Sequence, residues 1–64
     1  MIARPTTNQF IAEAQAKEIS RQCGVAYLNQ NLKGNLYRAT AGKGGMIAGE
    51  KTIAKFENGN QVSL

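Results

Sequence analysis

A chain of 64 residues with one cysteine, no histidine and no aspartate has no covalent or metal cross-link to hold it together. It can form neither an intramolecular disulfide nor a Cys/His zinc cluster. A domain of this length buries only about 60% of the surface its unfolded chain exposes. Local geometry must therefore be good, or a partner must enlarge the core. Self-association is one such route, and a homodimer is an expectation on this ground. The lone Cys23 lies in a helical pattern, fits a reducing compartment, and reads as a small apolar residue on a buried face.

The same absences restrict the chemistry. Without an imidazole there is no general base of the usual kind and no Ser-His-Asp relay. Glu13, Glu18, Glu50 and Glu57 are the only side-chain carboxylates. Glu13 and Glu18 do not share a helical face, so no glycosidase-like pair arises from them. Gly44 to Thr52 (GGMIAGEKT) nearly spells a P-loop, but Glu50 intrudes between Gly49 and Lys51 and places a negative charge where phosphate would sit. The expectation is a binding protein, not an enzyme, with no cofactor and no metal. Met1 to Phe10 lacks the apolar segment of a signal peptide, and no run approaches the ~18 apolar residues of a membrane span. A cytoplasmic protein with no membrane partner is expected.

The chain reads as one domain, 1–64. Residues 1–5 form an arm ending in Pro5. Thr6-Thr7-Asn8-Gln9 carries a capping-box pattern, alanine-rich sequence follows, and Gly24 suits the position after a helix end, which predicts a helix over 7–23. Ala12, Ala16, Ile19 and Cys23 share one face of it. Phe10, Ile11 and Ala14 lie on another side, with Lys17 and Arg21. Either the helix breaks near Glu13 to Gln15, or Phe10 and Ile11 meet a different neighbour.

Residues 25–39 admit two readings. Val25, Leu28, Leu32, Leu36 and Ala39 fall in a stripe about 80° wide at helical spacing. Alternatively, Lys33-Gly34 turns between strands 26–30 and 36–41. The strand reading shows no clear alternation, and the apolar spacing favours the helix. Residues 41–49 hold four of the seven glycines and read as a loop. Residues 51–64 read as a β-hairpin turning at Asn58-Gly59. A three-residue loop there would gather Ala54, Phe56, Val62 and Leu64 on one face and is the expected register. The predicted fold is α+β: two N-terminal helices, a glycine-rich connector and a C-terminal hairpin. The runner-up is one helix packed on a four-stranded antiparallel sheet. The predicted core is Phe10, Ile19, Leu28, Leu32, Leu36, Ile47, Ile53, Phe56, Val62 and Leu64.

Ile19 to Gly34 (ISRQCGVAYLNQNLKG) partly resembles the helix-turn-helix of small phage-type repressors, with Ser20 at the small position, Gly24 at the turn and Val25 at the apolar place after it. The segment 52–64 is similar to the C-terminal β-ribbon of Cro-type proteins. The resemblance implies a DNA-binding regulator that pairs through its ribbon. It departs from the family in the short spacing from Gly24 to Leu28 and Leu32.

Charge points the same way. The net charge is +4, and residues 25–56 carry Lys33, Arg38, Lys43, Lys51 and Lys55 against Glu50 alone. A helix over 25–39 would turn Asn29, Gln30, Lys33, Tyr37 and Arg38 away from the core, a set able to read bases and reach phosphates. Lys43, between Gly42 and Gly44-Gly45, could add a phosphate-holding nest. Nucleic acid, duplex DNA above all, is the first expected partner. The alternative is an adaptor or inhibitor of the kind phages and mobile elements encode. It would dock on an acidic protein surface through Phe10, Ile11, Ala14, Val62 and Leu64.

Overall fold

The computed structural model describes residues 3–41 and 49–64. One helix, α1 (Gln9–Cys23), packs on four strands: β1 (Val25–Asn31), β2 (Tyr37–Thr40), β3 (Glu50–Glu57) and β4 (Asn60–Val62). The sheet order is β2-β1-β3-β4, and each neighbouring pair is antiparallel. This α+β arrangement is the runner-up architecture and replaces the two-helix fold.

The helix begins where a side chain can serve its orphan N–H groups. Asn8 Oδ1 accepts from the backbone N–H of Phe10 at 2.9 Å and of Ile11 at 3.2 Å. Thr6 does not cap the helix; its hydroxyl accepts from the N–H of Asn8 at 3.1 Å and shapes the approach. At the other end Gly24 takes φ 93°, and its N–H closes the last turn on the Ser20 carbonyl at 2.8 Å. The helix is continuous through Glu13 to Gln15. Two sides of apolar residues therefore do not reflect a break: one side is buried and the other is not.

The second predicted helix is a β-hairpin. Ala26, Tyr27, Leu28 and Asn29 are all buried, so this central strand is covered on both faces. A strand buried on both faces loses the period-two alternation by which strands are recognised. Asn31 fixes the turn that follows. Its Oδ1 accepts from the N–H of Asn35 at 3.0 Å and of Leu36 at 3.1 Å, and its Nδ2 donates to Asn35 Oδ1 at 2.8 Å. Gly34 supplies φ 76°. Leu32, placed on the helical stripe by its spacing, sits in this turn and is 77% exposed. The likeness to a helix-turn-helix ends at Gly24, because Val25 enters a strand and the place of the recognition helix is taken by β1 and its turn.

The terminal hairpin turns at Asn58-Gly59 as expected, but with a two-residue loop. Both residues take positive φ, 52° and 88°, the combination that matches strand twist in a tight hairpin. Phe56 therefore pairs with Gln61, and Lys55 with Val62. The three-residue register fails because Val62 lies on the Lys55 side of the sheet, opposite Ala54 and Phe56. A β-bulge between Leu28 and Asn29 on the β1–β3 ladder leaves Ile53 as the extra residue.

Ala12, Ala16, Ile19, Ala26, Leu28, Ala39, Ala54 and Phe56 form the core between helix and sheet. Five of these eight are alanine, so the two layers approach closely and only Phe56, Leu28 and Ile19 bury large side chains. Each of those three contributes about 1.5–3 kcal/mol of transfer free energy. Among the other predicted core residues, Leu36, Ile53 and Val62 are half-buried, Phe10, Leu32 and Leu64 are exposed, and Ile47 lies outside the described residues. Cys23, expected on the buried face, is exposed at the helix end.

Two long-range contacts close the fold. Ser20, fully buried, donates its hydroxyl to the Lys17 carbonyl and accepts from the N–H of Gly59, both at 2.7 Å. The N–H of Asn58 also reaches the Gly24 carbonyl at 3.2 Å, so the helix end is latched to the hairpin turn. At the opposite edge the N-terminal arm lies along β2. The N–H of Ala3 bonds the Ala39 carbonyl at 3.0 Å, and Thr6 and Tyr37 exchange two bonds of 2.8 Å. No helix among the described residues is long and apolar enough to cross a membrane.

Candidate binding surfaces

Strand register sorts the polar residues before any function is considered. Ala26, Leu28, Ala39, Ala54 and Phe56 face the helix, so Tyr27, Asn29, Arg38, Thr40, Thr52 and Lys55 face the other way. This second face holds a buried polar belt. Asn29 Nδ2 donates to Thr40 Oγ1 at 3.0 Å, and Thr52 Oγ1 donates to Asn29 Oδ1 at 2.8 Å, tying β2, β1 and β3 together. One turn of the pleat further on, Arg38 Nη2 reaches over β1 to Glu50 Oε1 at 2.6 Å. Their side chains are only 6% and 11% exposed. Charges this deep persist only when paired.

The belt uses residues assigned to base reading by the sequence. Asn29 is fully buried with both ends of its amide engaged, and Arg38 is held by Glu50. Gln30 and Tyr37 lie on the helix side of the sheet, where Gln30 Nε2 donates to Tyr37 Oη at 3.3 Å and to the Gly34 carbonyl at 3.2 Å. Lys33 projects from the β1–β2 turn and is exposed. Lys43 and the Gly42-Lys43-Gly44-Gly45 nest lie outside the described residues. The five described residues of this set thus do not form one surface: two are buried in the belt, two hydrogen-bond each other, and Lys33 stands apart.

The residues assigned to protein contact fare differently. Phe10 is 83% exposed, and Ile11 and Ala14 are exposed beside it at the start of α1. At 100° per residue Phe10, Ala14, Lys17 and Arg21 fall in one narrow stripe, opposite the buried Ala12, Ala16 and Ile19. The stripe is apolar at its N-terminal end and basic at its C-terminal end. Arg21 contacts Glu18 at 3.8 Å, a long pair between side chains that are both more than half exposed, which screening makes weak. Val62 and Leu64 belong to a separate region at the β4 edge, around a shallow groove lined by Ile53, Ala54, Gln61 and Ser63 as well.

The cations are also redistributed. Lys55 sits 3.4 Å from Glu57 and 5.9 Å from the Tyr27 ring centroid. Among the described residues Arg4, Lys17, Lys33 and Lys51 are exposed and outside the ion pairs. Lys33 and Lys51 lie at one end of the sheet, since Lys51 is opposite Gln30 and the N–H of Leu32 bonds the Gly49 carbonyl at 3.0 Å.

The Thr-Asn-Thr ladder and the Arg38–Glu50 pair were not foreseen from the sequence. Their only signal is the polar-apolar-polar alternation of Arg38-Ala39-Thr40, a pattern that reads equally well as solvent exposure. Comparison with protein-family models, with curated proteins and with solved structures found no match.

Proposed function

We propose that this chain is a non-enzymatic binding protein that docks on another protein through the outward stripe of α1. The observation that carries this is Phe10, an aromatic side chain left 83% exposed at the start of a well-capped helix. Ile11 and Ala14 extend the apolar patch, and no described segment of the chain covers it. Aromatic anchors on a rigid element are the residues that concentrate binding energy in interfaces. Covering Phe10 and Ile11 supplies about 1.5–3 kcal/mol each. Lys17 and Arg21 continue the stripe, so the complementary surface is an apolar pocket bordered by carboxylates.

The test is affinity capture from an extract of the source cell with three baits: the wild-type chain, Phe10→Ala and Gln22→Ala. An acidic protein retained by wild type and Gln22→Ala but lost with Phe10→Ala is then titrated in purified form. Binding that depends on Phe10 and weakens modestly with salt supports the proposal. A partner set identical for wild type and Phe10→Ala refutes it.

A second reading, a regulator that binds nucleic acid and duplex DNA in particular, is favoured by the exposed Lys33 and Lys51 at one end of the sheet. Phosphate contacts release counterions, so such binding collapses as salt rises. Fluorescence anisotropy on a random duplex and a random single strand, across a salt series, decides it. Affinity that falls steeply with salt and is lost in Lys33→Ala/Lys51→Ala supports this reading; no binding at low salt removes it.

A further inference from the structure

We infer that β4 is the edge through which two copies of this chain pair, making a closed dimer with one continuous sheet. The two edges of the sheet are not alike. The β2 edge is sealed by the arm, whose Ala3 and Thr6 occupy backbone groups of Ala39 and Tyr37. The β4 edge has no strand beside it among the described residues. In a two-residue hairpin the positions flanking the loop exchange ladder bonds, and so do those two further along. Asn60 and Val62 thus face β3, while Gln61, and Ser63 at the same parity, turn their N–H and C=O groups outward.

Charge selects a second copy as the occupant of this edge. In a chain of net charge +4, residues 58–64 (NGNQVSL) carry no ionisable side chain. Here two like-charged molecules can meet without placing cations against cations. Protective devices of free edges, such as lysine, proline or an inward charge, are also missing from the segment. A two-fold axis through Val62 aligns Gln61 of each copy with Ser63 of the other, giving paired backbone bonds on both sides of the axis. Val62 then lies against Val62 of the second copy in the closer, non-hydrogen-bonded position. Leu64, 74% exposed in the single chain, and the half-buried Ile53 come under cover on the same side. Assembly stops at two, because a two-fold pairing uses the same edge of both copies and, on the far edge, the arm occupies backbone groups of Ala39 and Tyr37. The α1 stripe remains free, so this pairing is independent of partner docking.

The experiment is sedimentation equilibrium over about 10–1000 μM chain, a range suited to an interface this small, at low and high salt. A monomer–dimer equilibrium that salt leaves unchanged or strengthens is expected. Ser63→Pro removes an outward N–H without touching the β3 ladder, and Gln61→Lys sets like charges at the edge. Each should weaken dimerisation by about tenfold or more. Circular dichroism at the lowest concentration should match wild type, showing that the monomer still folds. Concentration-dependent amide shifts should fall on residues 60–64. A chain that stays monomeric, one that grows beyond a dimer, or shifts confined to Phe10–Ala14 would each overturn the inference.

Discussion

Replacing Ser20 with alanine removes a single oxygen and tests the latch that joins helix to hairpin. Two interactions are lost. The hydroxyl no longer donates to the Lys17 carbonyl, a minor change because Lys17 is at an exposed helical position. More costly, the N–H of Gly59 loses its 2.7 Å acceptor in a partly buried setting. A buried donor left unsatisfied costs about 1–3 kcal/mol. Alanine returns roughly 0.5 kcal/mol through its higher helix propensity. The net loss is about 1–2 kcal/mol, set against the roughly 3–5 kcal/mol that a core of this size supplies. Urea unfolding followed by circular dichroism should show the midpoint falling by about 1–2 M at unchanged slope, given a slope near 1 kcal/mol/M for so small a domain. Gln22→Ala, at an exposed position of the same helix turn, controls for propensity and should be neutral or slightly stabilising. If Ser20→Ala unfolds within about 0.3 kcal/mol of wild type, the latch contributes nothing and the reasoning fails.

Three other sets of substitutions probe the ion pair, the hairpin turn and the polar ladder. Breaking the Arg38–Glu50 pair from one side, as Arg38→Met or Glu50→Gln, should cost about 3–5 kcal/mol and leave the chain largely unfolded at 25 °C by circular dichroism. Gly59→Ala should cost about 1–2 kcal/mol from its φ of 88°; a Cβ there also meets Arg21 Cγ at 3.1 Å, so adding Arg21→Ala should recover part of the loss in a double-mutant cycle. Converting the ladder to Asn29→Leu/Thr40→Val/Thr52→Val should keep or raise stability while admitting slipped strand pairings, visible as extra amide resonances. A single sharp set of resonances from that triple variant would show that the ladder does not enforce register.

Legibility followed the reach of the interactions. The helix was legible because its determinants are local: an alanine-rich run, a side chain able to cap near Asn8, and a glycine after Cys23. Even there the box at Thr6 and Gln9 named the wrong cap by two residues, since Thr6 is spent on the bridge to Tyr37. The Asn58-Gly59 turn was legible for the same reason. What failed was everything decided across the sheet. Leu28, Leu32 and Leu36 keep helical spacing, yet only Leu28 is buried, and Leu32 occupies a turn fixed by the Asn31 side chain. No rule of spacing distinguishes those leucines.

The loop length of the hairpin failed for a related reason, and its cause bears on function. Apolar parity argued for placing Val62 and Leu64 with Phe56, on the assumption that every large apolar residue seeks the one core. The core is instead closed by alanines on the helix, the neighbouring strands and β3, which leaves no room for Val62 or Leu64 beneath it. The same close packing leaves Phe10 and Ile11 exposed among the described residues, outside the core on the far side of the helix. A chain with few large apolar residues has thus placed Phe10, Ile11 and Leu64 outside its core while burying a serine, an asparagine, a threonine and an ion pair. Of these exposed side chains, Phe10 and Ile11 carry the proposed docking of a partner, and Leu64 lies at the edge through which we infer that two copies meet.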